Sequence, residues 1–105
     1  MREAEIRKKA IQKLEERGWI TWFAPKVKYK QTDVFGIIDI LALRGKQKKN
    51  IQLTTLPNVS AKRKKITNFL KKNKVELFVE IWAWDKQRKV FRKEKINIKI
   101  RKRKK

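Results

Sequence analysis

The chain is short, 105 residues, and its 32 Lys plus Arg against 10 Asp plus Glu give a formal net charge of +22. At this length one small domain is expected, spanning residues 1–100 with a basic tail at 101–105, and 40% hydrophobic residues are enough for one modest core. With no Cys and no His, disulfides, zinc sites of the usual type and Ser–His or Cys–His nucleophiles are excluded.

Residues 3–17 read as a helix, with Ile6, Ala10, Ile11 and Leu14 on one face and Gly18 as its stop. Trp19, Ile20, Trp22, Phe23, Val27 and Tyr29 suggest an edge strand interrupted by Pro25. Residues 30–36 read as a loop. Residues 37–44 form a strand that is apolar on both faces apart from Asp39, which implies a central position. A tight basic hairpin turn covers 45–50, and the next strand covers 50–55. After Pro57 and Asn58 a helix runs to about residue 72; Val59, Ile66, Phe69 and Leu70 make its apolar face. Residues 75–84 form a long strand. Asp85–Arg88 turns the chain into a last strand from about 89 to 100, where Ile96, Ile98 and Ile100 alternate with polar residues. Trp82 and Trp84 share one side of their strand and are read as core or interface. The order is α-β-β-β-α-β-β: an α/β fold with a small mixed sheet flanked by two helices.

A compact body carrying this charge repels itself, and a polyanion relieves the repulsion. Neutralising phosphates also releases condensed counterions, so DNA is the leading partner, with RNA the lesser expectation. An anionic membrane surface is the rival, but no apolar run reaches transmembrane length and no secretory signal opens the chain. A heat-adapted composition would need acids for its ion-pair networks, and acids are scarce here. An intracellular protein of a prokaryotic or virus-infected cell fits these features.

Against that background, Asp39 stands in an apolar strand and Gln52-Leu53-Thr54 in the next one. An ionised Asp in such a run requires a partner, water or a metal. Adjacent antiparallel strands bring side chains of the same face together, so Asp39 and Gln52 can aim at one spot. A hard cation that takes oxygen ligands and keeps several waters, Mg²⁺ or Mn²⁺, suits that donor set. A bound water made more acidic by such a metal can attack a phosphodiester.

Three segments, in order, resemble the PD-(D/E)xK nuclease superfamily. Ala4-Glu5-Ile6-Arg7 through Gly18-Trp19 is similar to the first helix of archaeal-type Holliday-junction resolvases. Gly36-Ile37-Ile38-Asp39-Ile40-Leu41-Ala42 resembles the strand that carries the metal-binding Asp. Ile51-Gln52-Leu53-Thr54 resembles the apolar-Glu-x-Lys strand, and more closely a viral variant that reads Gln-x-Thr. The resemblance spans roughly residues 4–84 and implies a restriction-endonuclease-like fold, a symmetric homodimer and a branched-DNA substrate; residue composition and the viral-type Gln-x-Thr strand together suggest a virus or mobile element of a hot environment.

It also implies roles. Asp39 and Gln52 would hold the metal, with Asp33 approaching from its loop and Glu5 assisting. Thr54 would hold a water at the position of the family's Lys, and Lys65 or a neighbour such as Lys62 would stabilise charge. Lys26, Lys28 and Lys30, with Lys62, Arg63 and Lys64 on the second helix, would track phosphates. Gln52 supplies one negative charge fewer than Glu, and Thr54 brings no positive charge. A non-catalytic nucleic-acid-binding protein on the same fold is therefore the alternative.

Overall fold

In the computed structural model of the chain, residues 3–23 and 37–97 are described. Helix α1 spans Glu3–Glu16, strand β1 Ile20–Phe23, β2 Ile40–Arg44 and β3 Gln47–Thr55. A short 3-10 turn, Leu56–Asn58, leads into helix α2, Val59–Asn73; β4, Val79–Asp85, and β5, Val90–Ile96, complete the order. This is the expected α-β-β-β-α-β-β succession. The five strands lie in the order β1-β2-β3-β4-β5, all antiparallel neighbours except the parallel pair β3–β4, which α2 connects.

Helix α1 forms because its apolar residues recur at helical spacing, and Ile6, Ala10 and Leu14 are buried as one stripe. It stops at Gly18, whose φ of +85° is a conformation open to glycine at little steric cost. The Gly18 and Trp19 amides close the end by donating to Glu15 O and Leu14 O. The β2–β3 hairpin turns on two residues, with Gly45 first at a φ of +59°, the place where a tight hairpin favours glycine.

The sheet has two covered faces. On one, α1 joins Ile40, Ala42, Ile51, Leu53, Trp82 and Trp84. On the other, Ile66 and Leu70 of α2 join Ile37, Ile38, Val79, Ile81 and Ile96. Both tryptophans are thus core, stacked in tilted and edge contacts on Phe91 with ring centroids 5.4 and 5.0 Å away. Helix α2 packs over β3, β4 and β5. Ile20 and Leu43 are paired opposite each other, as are Trp22 and Leu41. Ile20, Trp22 and Leu43 stay largely exposed at the β1 edge.

Three boundaries differ from expectation. The strand around Asp39 begins only at Ile40, because the Asp39 carboxylate takes over the next hydrogen bond along β3. β3 begins at Gln47, so the basic stretch expected as a turn is mostly paired strand. β4 begins at Val79 rather than Val75, and the Asn50 side chain, not a strand, takes up the Phe78 carbonyl. The Pro25 interruption, the 30–36 loop, Ile98, Ile100 and the basic tail lie outside the described residues.

Candidate metal and nucleic-acid site

Strand β3 is buried on both faces from Asn50 to Thr54. Its alternation sends Ile51 and Leu53 to the α1 core, so Asn50, Gln52 and Thr54 face the other way. Gln52 is in register with Ile81 and Thr54 with Ala83 on β4, and Ile81 packs under α2. A row of polar side chains therefore runs beneath a helix, where apolar ones would normally fill the space.

Asp39 sits just before β2, opposite Gln52. Its Oδ2 accepts 2.7 Å hydrogen bonds from Gln52 Nε2 and from the Leu53 amide, while its own amide donates to Ile51 O at 2.8 Å. The acid and the amide are brought together. The Gln52 Nε2 also donates to Leu53 O at 3.2 Å. The Gln52 Oε1, by contrast, is buried with no hydrogen-bond partner among the described residues. An unmet buried carbonyl costs roughly 1–3 kcal/mol, so this oxygen is an acceptor with capacity to spare on the face it shares with Asn50 and Thr54. A carboxylate, a free amide oxygen and a hydroxyl on one face make a set of hard oxygen donors of the kind Mg²⁺ or Mn²⁺ accepts. Among the described residues no group of three or more His, Cys, Asp or Glu side chains gathers, so any ion there would keep several waters.

The other expected residues are placed as follows. Thr54 is buried on the Gln52 face. Glu5 is exposed on α1, whose buried stripe packs on the opposite face of the sheet. On α2, Arg63 reaches β5 and grips Glu94 through Nε and Nη2. That pairing holds the partly exposed Glu94 carboxyl below its ordinary range, chiefly through the hydrogen bond, and raises the Arg63 guanidinium for the same reason. At 100° per residue, Lys62 falls on the flank turned away from Arg63 and β5, and Lys65 lies further round toward solvent. Lys62 is half-buried there, whereas Lys64 and Lys65 are exposed. Asp33, Lys26, Lys28 and Lys30 lie outside the described residues.

Sequence reasoning missed a second polar cluster, on the α1 face at the other end of β3 and β4. Lys49 Nζ lies 2.6 Å from Glu80 Oε2, and Trp82 Nε1 donates to Glu80 Oε1 at 3.0 Å. Burial, the largest influence, pushes the Glu80 carboxyl up, but these two hydrogen bonds and the Lys49 and Lys95 charges together bring it below the ordinary value. Residues 31 apart in the chain meet here through parallel pairing, and no local pattern signals that.

No family model and no curated protein matches the chain. Among solved structures it is similar to Hjc of Archaeoglobus fulgidus, a Holliday junction resolvase from an archaeal hyperthermophile. The identity is 13%, with 90% of this chain and 87% of that chain covered and a TM-score of 0.46.

Proposed function

We propose that the protein is a metal-dependent DNA endonuclease that acts on branched DNA such as a Holliday junction. The observation that carries this reading is the meeting of Asp39 and Gln52 beside a buried, unpartnered Gln52 Oε1. Asp39 and Gln52 would hold Mg²⁺ or Mn²⁺, with Thr54 on the same face to hold a water and Asp33, outside the described residues, as a further ligand. When bound, such an ion acidifies water and offsets charge on a phosphodiester. Lys62, half-buried on the flank of α2 turned away from β5, is a better candidate than the exposed Lys65 for stabilising that charge. Glu5, exposed on the helix that covers the opposite face of the sheet, is left without a part in this reading. The net charge of +22 supplies the attraction for the polymer, with Lys26, Lys28, Lys30, Lys62 and Lys64 on its phosphates; Arg63 would join them only by leaving Glu94. The branched substrate rests on the motif resemblance.

A homodimer belongs to the same reading, because exposed Ile20, Trp22 and Leu43 offer an apolar surface beside an edge strand. Sedimentation of the wild type and of Trp22→Ser checks it: the variant should be monomeric where the wild type is dimeric.

One observation favours the non-catalytic alternative. The Gln52 nitrogen, rather than its oxygen, faces Asp39, so the carboxylate is satisfied without an ion. Incubating labelled four-way junction and linear duplex with Mg²⁺, Mn²⁺ or a chelator separates the two. Metal-dependent cutting of the junction, abolished in Asp39→Ala while binding persists, is the expected result. Binding that ignores metal, with no product formed, supports the alternative.

A further inference from the structure

A basic groove lies at the N-terminal ends of β3 and β4, beside the β2–β3 turn. Its volume is about 500 Å³, and Trp19, Arg44, Lys48, Lys49, Phe78 and Lys95 are among its walls. Arg44 is fixed there: Nη1 donates to Arg17 O and Nη2 to Gln47 Oε1, each at 3.0 Å, and the guanidinium sits 4.4 Å over the Trp19 ring. Glu80, the acid in the wall, is occupied by Lys49 and Trp82. Cations crowd this end. The Lys93 ammonium, 4.3 Å over Trp82, is pushed below its ordinary value by burial first and then by Arg17, with Lys49 and Lys13 adding to the effect against the pull of Glu80.

Phe78 stands at the same groove and is 64% exposed. An uncovered phenyl ring beside a fixed guanidinium and exposed lysines combines an aromatic platform with backbone-tracking charge, the pairing that suits unstacked bases. A duplex keeps its bases stacked and offers the ring nothing. We propose that this groove holds a single-stranded nucleic-acid segment, with phosphates along Arg44, Lys48 and Lys95 and one base stacked on Phe78. The assignment is independent of the metal-site reading, since none of Asp39, Gln52 and Thr54 lines this groove.

The test is fluorescence anisotropy of labelled oligo-dT and oligo-U of about 12 nucleotides, with a duplex of equal length, across a salt series. Phe78→Ala should weaken binding of the single strands roughly 5- to 100-fold, leaving the duplex and the salt slope unchanged. Phe78→Leu, which keeps apolar bulk and loses the aromatic face, should behave alike and guards against a folding defect. The Lys48→Gln, Lys95→Gln pair should flatten the slope of log K against log salt for single strands by about 1.4, near 0.7 per phosphate. The matched Lys71→Gln, Lys72→Gln pair on α2 should flatten it less. Loss of oligo-dT and oligo-U alike identifies a groove indifferent to the sugar; loss of one alone identifies the sugar it accepts. Unchanged single-strand binding in both Phe78 variants, equal loss for the duplex, or an equal effect of the α2 pair overturns the proposal.

Discussion

Replacing the Gln52 amide by a carboxylate tests the candidate site most directly. In Gln52→Glu the group 2.7 Å from Asp39 Oδ2 changes from a donor to an acceptor. Two carboxylates that close cannot both ionise without a cation. Their repulsion near 4 Å amounts to about 4 kcal/mol at an effective dielectric of about 20. The alternative is to keep one proton; for a glutamate of ordinary pKa about 4.3, that costs about 3.7 kcal/mol at about pH 7. Both routes give a loss of about 3–4 kcal/mol near neutrality without metal. The introduced acid has a raised pKa in the folded state. Its penalty is therefore absent below about pH 4, where it is protonated in both states, and grows by about 1.4 kcal/mol per pH unit as pH rises toward the folded value. At about 4–8 °C per kcal/mol, the variant should melt at least 12 °C lower than the wild type near neutral pH. Millimolar Mn²⁺ should restore much of that loss, since binding to the folded state alone at about a hundredfold over Kd returns about 2.7 kcal/mol. Thermal unfolding of wild type and variant between about pH 4.5 and 8, with Mn²⁺ or chelator, reads all of this. A variant as stable as the wild type without metal, and unmoved by pH or Mn²⁺, would refute the reasoning.

Three further outcomes are expected. Trp82→Ala removes a side chain that is 2% exposed in the α1 core, and urea unfolding should show a loss of about 3–5 kcal/mol. Because the folded Glu80 carboxyl lies below its unfolded value, its contribution is present above about pH 4.3 and fades as pH falls through the folded value. The stability gap between wild type and Glu80→Gln, measured by urea titration, should thus be open at neutral pH and close in strong acid. Affinity for DNA should drop about 10³- to 10⁵-fold between about 50 and 200 mM salt if roughly 6–10 phosphates are contacted; a flat response in anisotropy would remove the phosphate backbone as the main source of binding.

The sequence is legible where the physics is local. The Ile6, Ala10, Leu14 stripe and the Ile66, Leu70 pair announce their helices by spacing alone, and both are buried. The meeting of Asp39 with Gln52 is legible for a related reason: one short hairpin joins them, so alternation and a small turn suffice. Boundaries fail where a side chain replaces a backbone partner. Asp39 binds the Leu53 amide and shortens β2 from within, and Asn50 takes the Phe78 carbonyl before β4 starts. The Lys49–Glu80–Trp82 cluster depends on the register of a parallel pair closed through α2, and the unpartnered Gln52 oxygen depends on one rotamer. Neither quantity is written in a window of sequence.

The two-residue turn at Gly45–Lys46 carries a consequence beyond its own geometry. It works as the gauge of the whole hairpin, since the spacing it enforces decides which side chains of β3 look toward α2. Lengthening it by a single residue would rotate Gln52 into the tryptophan layer and thrust Leu53 toward Asp39. The chemistry proposed for this protein is thus set by a bend that touches neither reacting group, and drift in that bend would erase the site while leaving both of its residues intact.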